Sequence, residues 1–143
     1  MSSEDCVFCK IVKRQVPASV VFEDDCCMAF MDIFPIREGH CLLIPKSHYT
    51  NLLDVDLAVM ERMSGRLVEL TRKVYAALRP NGVLVIAANG TGAGQEIPHL
   101  HFHVLPRNSG DEFRFQFPKG YREKMALREE LDAVATRIRN AST

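Results

Sequence analysis

The sequence predicts an α+β domain, built on an antiparallel sheet of about five strands with helices on one face. Two observations support this fold class. Five short apolar runs closed by turn-forming residues have the length and composition of β-strands, and one longer segment has the three-and-four apolar spacing of an amphipathic helix. The predicted strands are residues 20–23, 27–32, 40–45, 83–88 and 99–105.

The elements between the strands are predicted from caps and breakers. The long helix is expected to begin after Asp54 or Asp56 and to end before Pro80. A glycine-rich loop over residues 89–95 leads into the last strand. The other predicted elements are a helical turn over residues 10–15, a hairpin turn at residues 24–25 and a C-terminal helix over residues 122–139.

The length and composition of the chain exclude several classes of protein. A chain of 143 residues suits one domain, and 18 basic residues against 18 acidic ones give no global positive field for a nucleic acid polymer. No apolar run reaches the roughly 18 to 20 residues that cross a bilayer, and residues 1–5 are polar rather than signal-like. The five cysteines lack the spacing of a disulfide framework. We therefore expect a cytoplasmic protein that binds neither membranes nor nucleic acid polymers.

Three histidines alternate with apolar residues in the last predicted strand. Successive side chains of a strand point to opposite faces, so His99, His101 and His103 are expected to share one face. Neighbouring imidazoles would lie roughly 6 to 7 Å apart, in a row about 13 Å long. Imidazole suits proton transfer and metal ligation near neutral pH, so the row predicts a functional groove.

The cysteines at the start of the chain indicate a metal site. Cys6 and Cys9 are separated by two residues and would form a tetrahedral Cys₂His₂ zinc site with His48 and one histidine of the row. His99 is the favoured fourth ligand, because it leaves His101 and His103 free. A zinc ion with all four coordination positions occupied by protein side chains would be structural. Alternatively, the three histidines of the row bind a catalytic zinc ion, and Cys6 and Cys9 then have no assigned role.

A nucleophilic role for His101 is also predicted. A neutral imidazole attacks an electrophilic phosphorus when a second group orients it and donors neutralise the phosphate. The segment Gly92-Ala93-Gly94-Gln95 offers backbone N–H groups and the Gln95 amide as such donors, because glycine permits close approach. Together the loop and the row form a candidate phosphate site.

These motifs resemble the histidine triad superfamily, in its HIT branch with Hint and Fhit. The triad pattern is His99-Leu100-His101-Phe102-His103-Val104-Leu105. The resemblance extends to Cys6-Val7-Phe8-Cys9-Lys10-Ile11, Ala29-Phe30-Met31-Asp32-Ile33, the segment from Gly39 to His48, and Gly94-Gln95. It implies a HIT-like fold and a homodimer. It also implies hydrolysis or transfer at the α-phosphate of a purine nucleotide through a covalent nucleotidyl-histidine, with no metal in the chemistry.

The resemblance assigns a role to each matching residue. His101 would be the nucleophile, His103 would contact the phosphate or leaving group, and His40 would support the protonation and position of the imidazole. Asp32 would bind the ribose hydroxyls and Ile33 the base. The remaining residues fall into a phosphate-side set, Asn89, Gly94 and Gln95, and a structural Zn²⁺ set, Cys6, Cys9, His48 and His99.

One position departs from the family pattern. Many relatives have serine or threonine after the glutamine, whereas this chain has Glu96. A carboxylate beside a phosphate is repulsive by roughly 1 kcal/mol in a wet site, so either Glu96 points outward or the leaving group is cationic or amine-like. We expect the outward orientation.

The domain organisation and two further functions complete the expectations. Residues 1–143 are predicted to form one HIT domain, with a zinc-knuckle-like N-terminus at 1–15 and a variable tail at 108–143. The alternatives to the nucleotidyl hydrolase or transferase are a nucleotide-binding or scaffolding protein with little turnover, and a zinc-dependent hydrolase.

Overall fold

The structure, a computed structural model, describes residues 3–143. Part of the predicted polar N-terminus, residues 1 and 2, lies outside the described residues. The described chain forms two compact units, the first ending at Glu112 and the second spanning Phe113–Thr143. The first unit contains α1 (Val7–Val12), β1 (Val20–Glu23), β2 (Cys27–Met31), β3 (Cys41–Pro45), α2 (Leu57–Leu78), β4 (Gly82–Ile86), a 3₁₀ turn (Thr91–Ala93) and β5 (Phe102–Arg107). The second contains α3 (Arg128–Arg139).

The five strands form one antiparallel sheet in the order β1-β2-β3-β5-β4. The predicted hairpin joins β1 to β2, where the Asp24 carboxylate accepts hydrogen bonds from the N–H groups of Cys26 and Cys27 at 2.7 and 2.8 Å. The strand β5 lies between β3 and β4 and so occupies an interior position. The α+β class and the strand number are confirmed.

The sheet is covered on both faces, so the prediction that all helices lie on one face is wrong. The helix α2 packs on the face that carries Ala29, Leu43 and Val104. The helix α1 packs on the other face, against Phe30 and Leu42. The physical reason lies in β2 and β3, which are buried on both faces; a strand without polar alternation needs cover on both sides.

The long helix agrees closely with its predicted bounds. Asp56 is the N-cap, and its carboxylate accepts a hydrogen bond from the Ala58 N–H at 2.9 Å. Asp54, the other candidate cap, instead accepts hydrogen bonds from the N–H groups of Thr50 and Asn51. The helix ends at Leu78, and its C-cap Arg79 has a φ of 47°, in the left-handed region.

Both shorter helices are displaced from their predicted positions. The first covers residues 7–12 rather than 10–15, because Arg14 has a φ of 61°, which helical geometry does not allow. The last begins at Arg128 rather than near residue 122. Arg122 has a φ of 68° and so cannot belong to a right-handed helix.

The strand β5 begins at Phe102, so two of the three histidines precede it. The prediction that one strand contains all three is wrong. The N–H of His99 donates to the Ile97 carbonyl at 2.9 Å, and the N–H of Leu100 donates to the Tyr49 carbonyl at 2.7 Å, so this segment does not join the sheet ladder. His103 pairs with Leu42 and lies on the face that carries α1.

Candidate functional site

Four potential metal ligands converge beneath α1. The ligating atoms of Cys6, Cys9, His48 and His99 all lie within 4.8 Å of one another. Nδ1 of His99 is 3.4 Å from the Cys6 sulfur and 3.5 Å from the Cys9 sulfur, while Nδ1 of His48 is 3.3 Å from the Cys9 sulfur. The residues are those that the sequence selects for zinc.

The geometry and chemistry of this cluster fit a tetrahedral zinc ion. Ligand bonds of about 2.3 Å to sulfur and about 2.0 to 2.1 Å to nitrogen require sulfur and nitrogen to lie about 3.5 Å apart. Nε2–H of His99 donates to the Pro45 carbonyl at 2.9 Å, which leaves the Nδ1 lone pair directed at the sulfurs. Burial lowers the pKa of His99 to about 4, so the ring is neutral, as a metal ligand must be.

The two thiols also fit a cation. Burial and the adjacent Cys6 thiol raise the pKa of Cys9 to about 11. Without a cation Cys9 therefore remains protonated, whereas zinc would displace its proton. Among the described residues, His99 belongs to the Cys6–Cys9 group of potential ligands, His103 belongs to a separate group with Asp32 and His40, and His101 belongs to neither. The described residues thus favour the Cys₂His₂ alternative over a zinc ion bound by the three histidines.

A second cluster lies at the other end of the histidine segment. Nε2 of His40 is 2.9 Å from Nδ1 of His103 and 3.6 Å from a carboxylate oxygen of Asp32. Nδ1 of His40 accepts a hydrogen bond from the backbone N–H of Ile36 at 3.2 Å. A neutral His40 therefore carries its proton on Nε2 and donates it to His103. His103 in turn presents its own Nε2–H as a donor.

The pKa values of these two histidines are lowered. Burial lowers the pKa of His40, against the opposing effect of the Asp32 carboxylate. Burial and the neighbouring His101 and His40 lower the pKa of His103 to about 4. Both rings are therefore neutral near pH 7, and the hydrogen-bond directions derived above apply there.

His101 lies between the two clusters. Its Nδ1–H donates to the backbone carbonyl of His99 at 2.6 Å. The ring proton is therefore held on Nδ1, and Nε2 presents its lone pair. The His101 ring is 4.9 Å from the His103 ring and 5.3 Å from the Phe8 ring, centroid to centroid. This separation replaces the roughly 6 to 7 Å expected for a regular strand. The imidazole of the sequence-predicted nucleophile is thus oriented by a backbone hydrogen bond.

The glycine-rich loop is closed by its own hydrogen bonds. The Gln95 amide donates to the carbonyls of Thr50 and Ile97 and accepts from the Asn51 amide and the Gly90 N–H. The backbone N–H groups of Gly94 and Gln95 donate to the carbonyls of Thr91 and Gly90. These contacts fix the shape of the loop, while direct donation from Gln95 to a phosphate, as expected from the sequence, would require them to open.

The other predicted phosphate-side residue also stabilises a loop. Asn89 accepts a hydrogen bond from the Leu52 N–H at 2.8 Å, which ties the glycine-rich loop to the segment before α2. Glu96 is exposed, in agreement with the expected outward orientation. The phosphate-side roles of Asn89, Gly94 and Gln95 remain predictions.

The predicted nucleoside-binding residues lie next to the second cluster. One oxygen of Asp32 accepts the Phe34 N–H at 2.8 Å, and the other faces His40. Ile33 is 78% exposed and Phe34 is 84% exposed, so both apolar side chains are accessible to a ligand. Asp32 therefore stands between the histidines and an accessible apolar surface.

Three groups at the site were missed by the sequence analysis. The Ile36 N–H and the Pro45 carbonyl are backbone groups, and no residue pattern reveals them. The third is Phe8, a buried ring whose edge-on contacts reach both His99 and His101 at 5.7 and 5.3 Å. Its position inside the Cys6–Cys9 motif was the only available signal.

Several known proteins are similar to this chain in sequence. The HIT domain family profile matches residues 13–110. The chain belongs to the HIT domain family. An uncharacterized HIT-like protein of Borreliella burgdorferi is 41% identical over 118 residues, which cover 78% of this chain and 82% of that protein. Adenylylsulfatase HINT3 of Arabidopsis thaliana is 36% identical over 107 residues, covering 75% of this chain and 54% of that protein.

Solved structures of the HIT family share the fold. A crystal structure of a HIT family protein from Bacillus anthracis has a TM-score of 0.89 and 29% identity, and the match covers 99% of this chain and 100% of that one. The resemblance stated from the sequence motifs is confirmed at the level of the family. The HIT family comprises nucleotide hydrolases and transferases and binds nucleotide substrates.

Proposed function

We propose that this HIT protein is a nucleotidyl hydrolase or transferase that cleaves at the α-phosphate of a purine nucleoside phosphoramidate or dinucleoside polyphosphate. The observation that supports this function best is the hydrogen bond from Nδ1–H of His101 to the His99 carbonyl. It fixes the tautomer in which Nε2 carries a lone pair, the form required of a nucleophile. The adenylylsulfatase name of the Arabidopsis relative is consistent with chemistry at a nucleotide α-phosphate.

The reaction proceeds in two displacements. In the first, Nε2 of His101 forms a bond to the α-phosphorus, and the bond to the leaving group breaks with its electron pair on the leaving group. An amine leaving group takes a proton from water, whereas a phosphate leaving group departs as an anion. In the second, water attacks the phosphorus, the electron pair returns to Nε2 and the proton released by water passes to solvent.

The second cluster stabilises the charge that develops in both steps. His103 donates a hydrogen bond from Nε2–H to the phosphoryl oxygen or leaving atom. His40, held by the Ile36 N–H, polarises His103 by donating to its Nδ1. Since these donors are already oriented, their alignment needs no reorganisation when the charge appears.

The nucleoside is proposed to bind beside this cluster. The ribose hydroxyls donate to Asp32, and the base packs on the exposed Ile33. Asn89 and Gln95 maintain the glycine-rich loop, with Gly94 on the phosphate side. Gly94 has a φ of 87°, so a larger residue there would be strained.

A structural zinc ion is proposed for Cys6, Cys9, His48 and His99. When bound, the ion would cross-link α1 to the segment before β5 and take no part in the displacements. The homodimer, the cytoplasmic location and the single-domain organisation implied at the outset remain predictions.

The experiment that tests the function compares two substrate classes in parallel. The purified protein is incubated with an adenosine phosphoramidate and with diadenosine polyphosphates, kcat/KM is measured for each, and a nucleotidyl-enzyme is trapped by acid-free quenching. His101→Gly should lower kcat by at least about 10³-fold without weakening nucleotide binding to the same extent, since it removes the nucleophile. The covalent adduct should map to His101.

Added imidazole provides a matched control. Free imidazole should restore part of the turnover of His101→Gly but none of the covalent protein adduct. A variant that retains most of its rate would contradict the mechanism. Tight binding of adenosine or guanosine monophosphate with no turnover of either substrate class would favour the scaffolding alternative.

A further inference from the structure

The side-chain amide of Gln95 is buried and makes a complete set of hydrogen bonds. Its oxygen accepts from Nδ2 of Asn51 at 3.0 Å and from the Gly90 N–H at 2.8 Å. Its Nε2 donates to the carbonyl of Thr50 at 2.6 Å and to the carbonyl of Ile97 at 3.1 Å. A primary amide has two donor hydrogens and two acceptor lone pairs, so these contacts use the whole capacity of the group.

The partners of the Gln95 amide determine which way it points. The Gly90 N–H only donates and the two carbonyls only accept, so exchanging the oxygen and nitrogen would oppose like groups at all three contacts. The buried Asn51 amide is oriented in the same way, because its oxygen accepts the Leu53 N–H at 2.9 Å and its nitrogen is left to donate to Gln95. The two side chains form an oriented amide pair, Asn51–Gln95.

The amide pair holds the turn that leads to the three histidines. The Ile97 carbonyl accepts Nε2 of Gln95 and also the His99 N–H, the latter at 2.9 Å. The His99 carbonyl in turn accepts Nδ1–H of His101 at 2.6 Å. Contiguous hydrogen-bonded groups therefore connect Asn51 to the imidazole of His101.

The backbone of this turn needs side-chain support because it precedes the sheet. The strand β5 begins at Phe102, and its ladder with β3 also begins there. Before that point, the Gln95 amide holds the backbone at Ile97, and the Tyr49 carbonyl holds it by accepting the Leu100 N–H at 2.7 Å. Both supports are attached to residues 49–51, so the orientation of the segment 97–101 depends on them.

We propose that Asn51 and Gln95 are positioning residues for His101. The amide pair places the His99 carbonyl, and this carbonyl keeps the ring proton of His101 on Nδ1 so that Nε2 presents its lone pair. This positioning role rests on the proposed function, in which His101 is the nucleophile. It gives the Gln95 side chain an indirect role, because both hydrogens of its amide are engaged by carbonyls and neither is left for a phosphate.

Gln95→Glu separates the donor function of the amide from its shape. A carboxylate has nearly the same size and accepts from Asn51 and Gly90, but it has no hydrogen for the carbonyls of Thr50 and Ile97. Asn51→Asp is the companion variant. It keeps the acceptor oxygen for the Leu53 N–H and loses the donation to Gln95, so it weakens the same pair from the other side.

Nitrogen chemical shifts of the His101 ring measure the effect in the full-length protein without substrate. At about pH 8.5, two units above the ordinary imidazole pKa, the shifts report which nitrogen carries the proton. Wild type should show the proton on Nδ1, whereas Gln95→Glu should show a mixture of both tautomers and Asn51→Asp a smaller change in the same direction. Because less of the competent tautomer is populated, kcat should fall about tenfold in Gln95→Glu, while the Kd for adenosine monophosphate changes less than about twofold.

Two controls show whether the effect is local. The ring nitrogens of His40 should keep their wild-type shifts, because the Ile36 N–H and not the amide pair sets that tautomer. Asn81→Ala removes another side-chain amide that joins two loops, since its oxygen accepts the Ser109 N–H at 2.9 Å. Asn81 immediately precedes β4, whereas the glycine-rich loop follows this strand, so the His101 tautomer and kcat should not change.

The outcomes separate the positioning role from the proposed function. A wild-type His101 tautomer in Gln95→Glu and Asn51→Asp, both folded by circular dichroism, would overturn the positioning role. If Gln95→Glu does not fold, Asn51→Asp decides alone. A loss confined to nucleotide affinity, with kcat and tautomer unchanged, would overturn it in favour of direct phosphate contact by Gln95. Absence of turnover in wild type would count against the proposed function, and the nitrogen spectra would still decide whether the amide pair orients the ring.

Discussion

The two histidine clusters use the same side chain in opposite ways. In the Cys6–Cys9 cluster, the far nitrogen of His99 donates to the Pro45 carbonyl, so the near nitrogen presents a lone pair to the sulfurs. In the second cluster, the far nitrogen of His40 accepts from the Ile36 N–H, so the near nitrogen presents a proton to His103. One backbone group on the far side of each ring decides whether it is a ligand or a donor.

This difference explains why proximity alone does not define a metal site. Asp32, His40 and His103 also form a group whose ligating atoms lie within 4.8 Å of one another. Binding a metal through Nε2 of His40 would require Nδ1 to carry the proton, and that proton would oppose the Ile36 N–H. The tautomer thus makes the first cluster suited to zinc and the second to hydrogen-bond donation.

The largest expected effect breaks the first cluster and leaves the second intact. Cys9→Ser removes a soft ligand, so zinc content measured by mass spectrometry should fall from about one per chain towards zero. Because metal binding is coupled to folding, the free energy of unfolding in urea should fall by about 3 kcal/mol. The residual turnover of the folded fraction should change much less than the stability.

Cys26→Ser is the matched control for that variant. Cys26 is also buried but lies outside the group of potential metal ligands. It should retain zinc, and chelation should destabilise it as much as wild type. If Cys9→Ser keeps its zinc and its stability, the cluster is not a metal site.

The second prediction breaks the donor cluster. His40→Phe removes the proton donated to His103, so kcat should fall about 10²-fold with zinc content unchanged. His40→Gln should recover part of this loss, because its amide N–H is able to donate to Nδ1 of His103. Steady-state kinetics of the two variants check this; equal losses in both would show that His40 fills space rather than donates.

The third prediction concerns pH and the buried His103. Its pKa of about 4 in the folded chain lies below the ordinary value of 6.5, so between these pH values the unfolded chain binds a proton that the folded chain does not. The contribution of the neutral His103 to the free energy of unfolding is therefore fully present above pH 6.5 and is lost as the pH falls towards 4. After allowance for partial exposure, it amounts to about 2 kcal/mol.

Urea unfolding at pH 7 and pH 4.5 measures this contribution. Wild type should lose about 2 kcal/mol more than His103→Gln over the interval, since the two proteins differ only at residue 103 and share every other ionisable group. Equal losses in the two proteins would show that His103 is not buried in its neutral form.

The residues of both clusters could be predicted from sequence, but their roles could not be fully separated. The cysteine spacing and the alternating histidines were visible because side-chain identity carries those signals. The expectation that one strand contains all three histidines was wrong, because the Leu100 N–H donates to the Tyr49 carbonyl and the strand starts at Phe102. Residue spacing does not predict such a hydrogen bond between distant backbone groups.

The two-sided cover of the sheet was also missed, although the sequence contained a signal for it. The strand β3 is apolar at every position, which is typical of a strand buried on both faces. The helices were assigned to one face because the long amphipathic pattern of α2 accounts for the cover of only one face. The six residues of α1 are too few for their apolar spacing to reveal the opposite face.

The smallest expected effect changes only the tautomer of His40. Ile36→Pro removes the N–H that donates to Nδ1, while Ile36→Val keeps it. The Nδ1–H form of His40 should then become populated, lowering kcat about tenfold and giving Nε2 a lone pair beside Asp32 and His103. Added zinc should therefore inhibit the proline variant at lower concentrations than it inhibits the valine variant. Nitrogen chemical shifts of the His40 ring report the tautomer directly, and identical shifts in the two variants would mean that the Ile36 N–H does not set it.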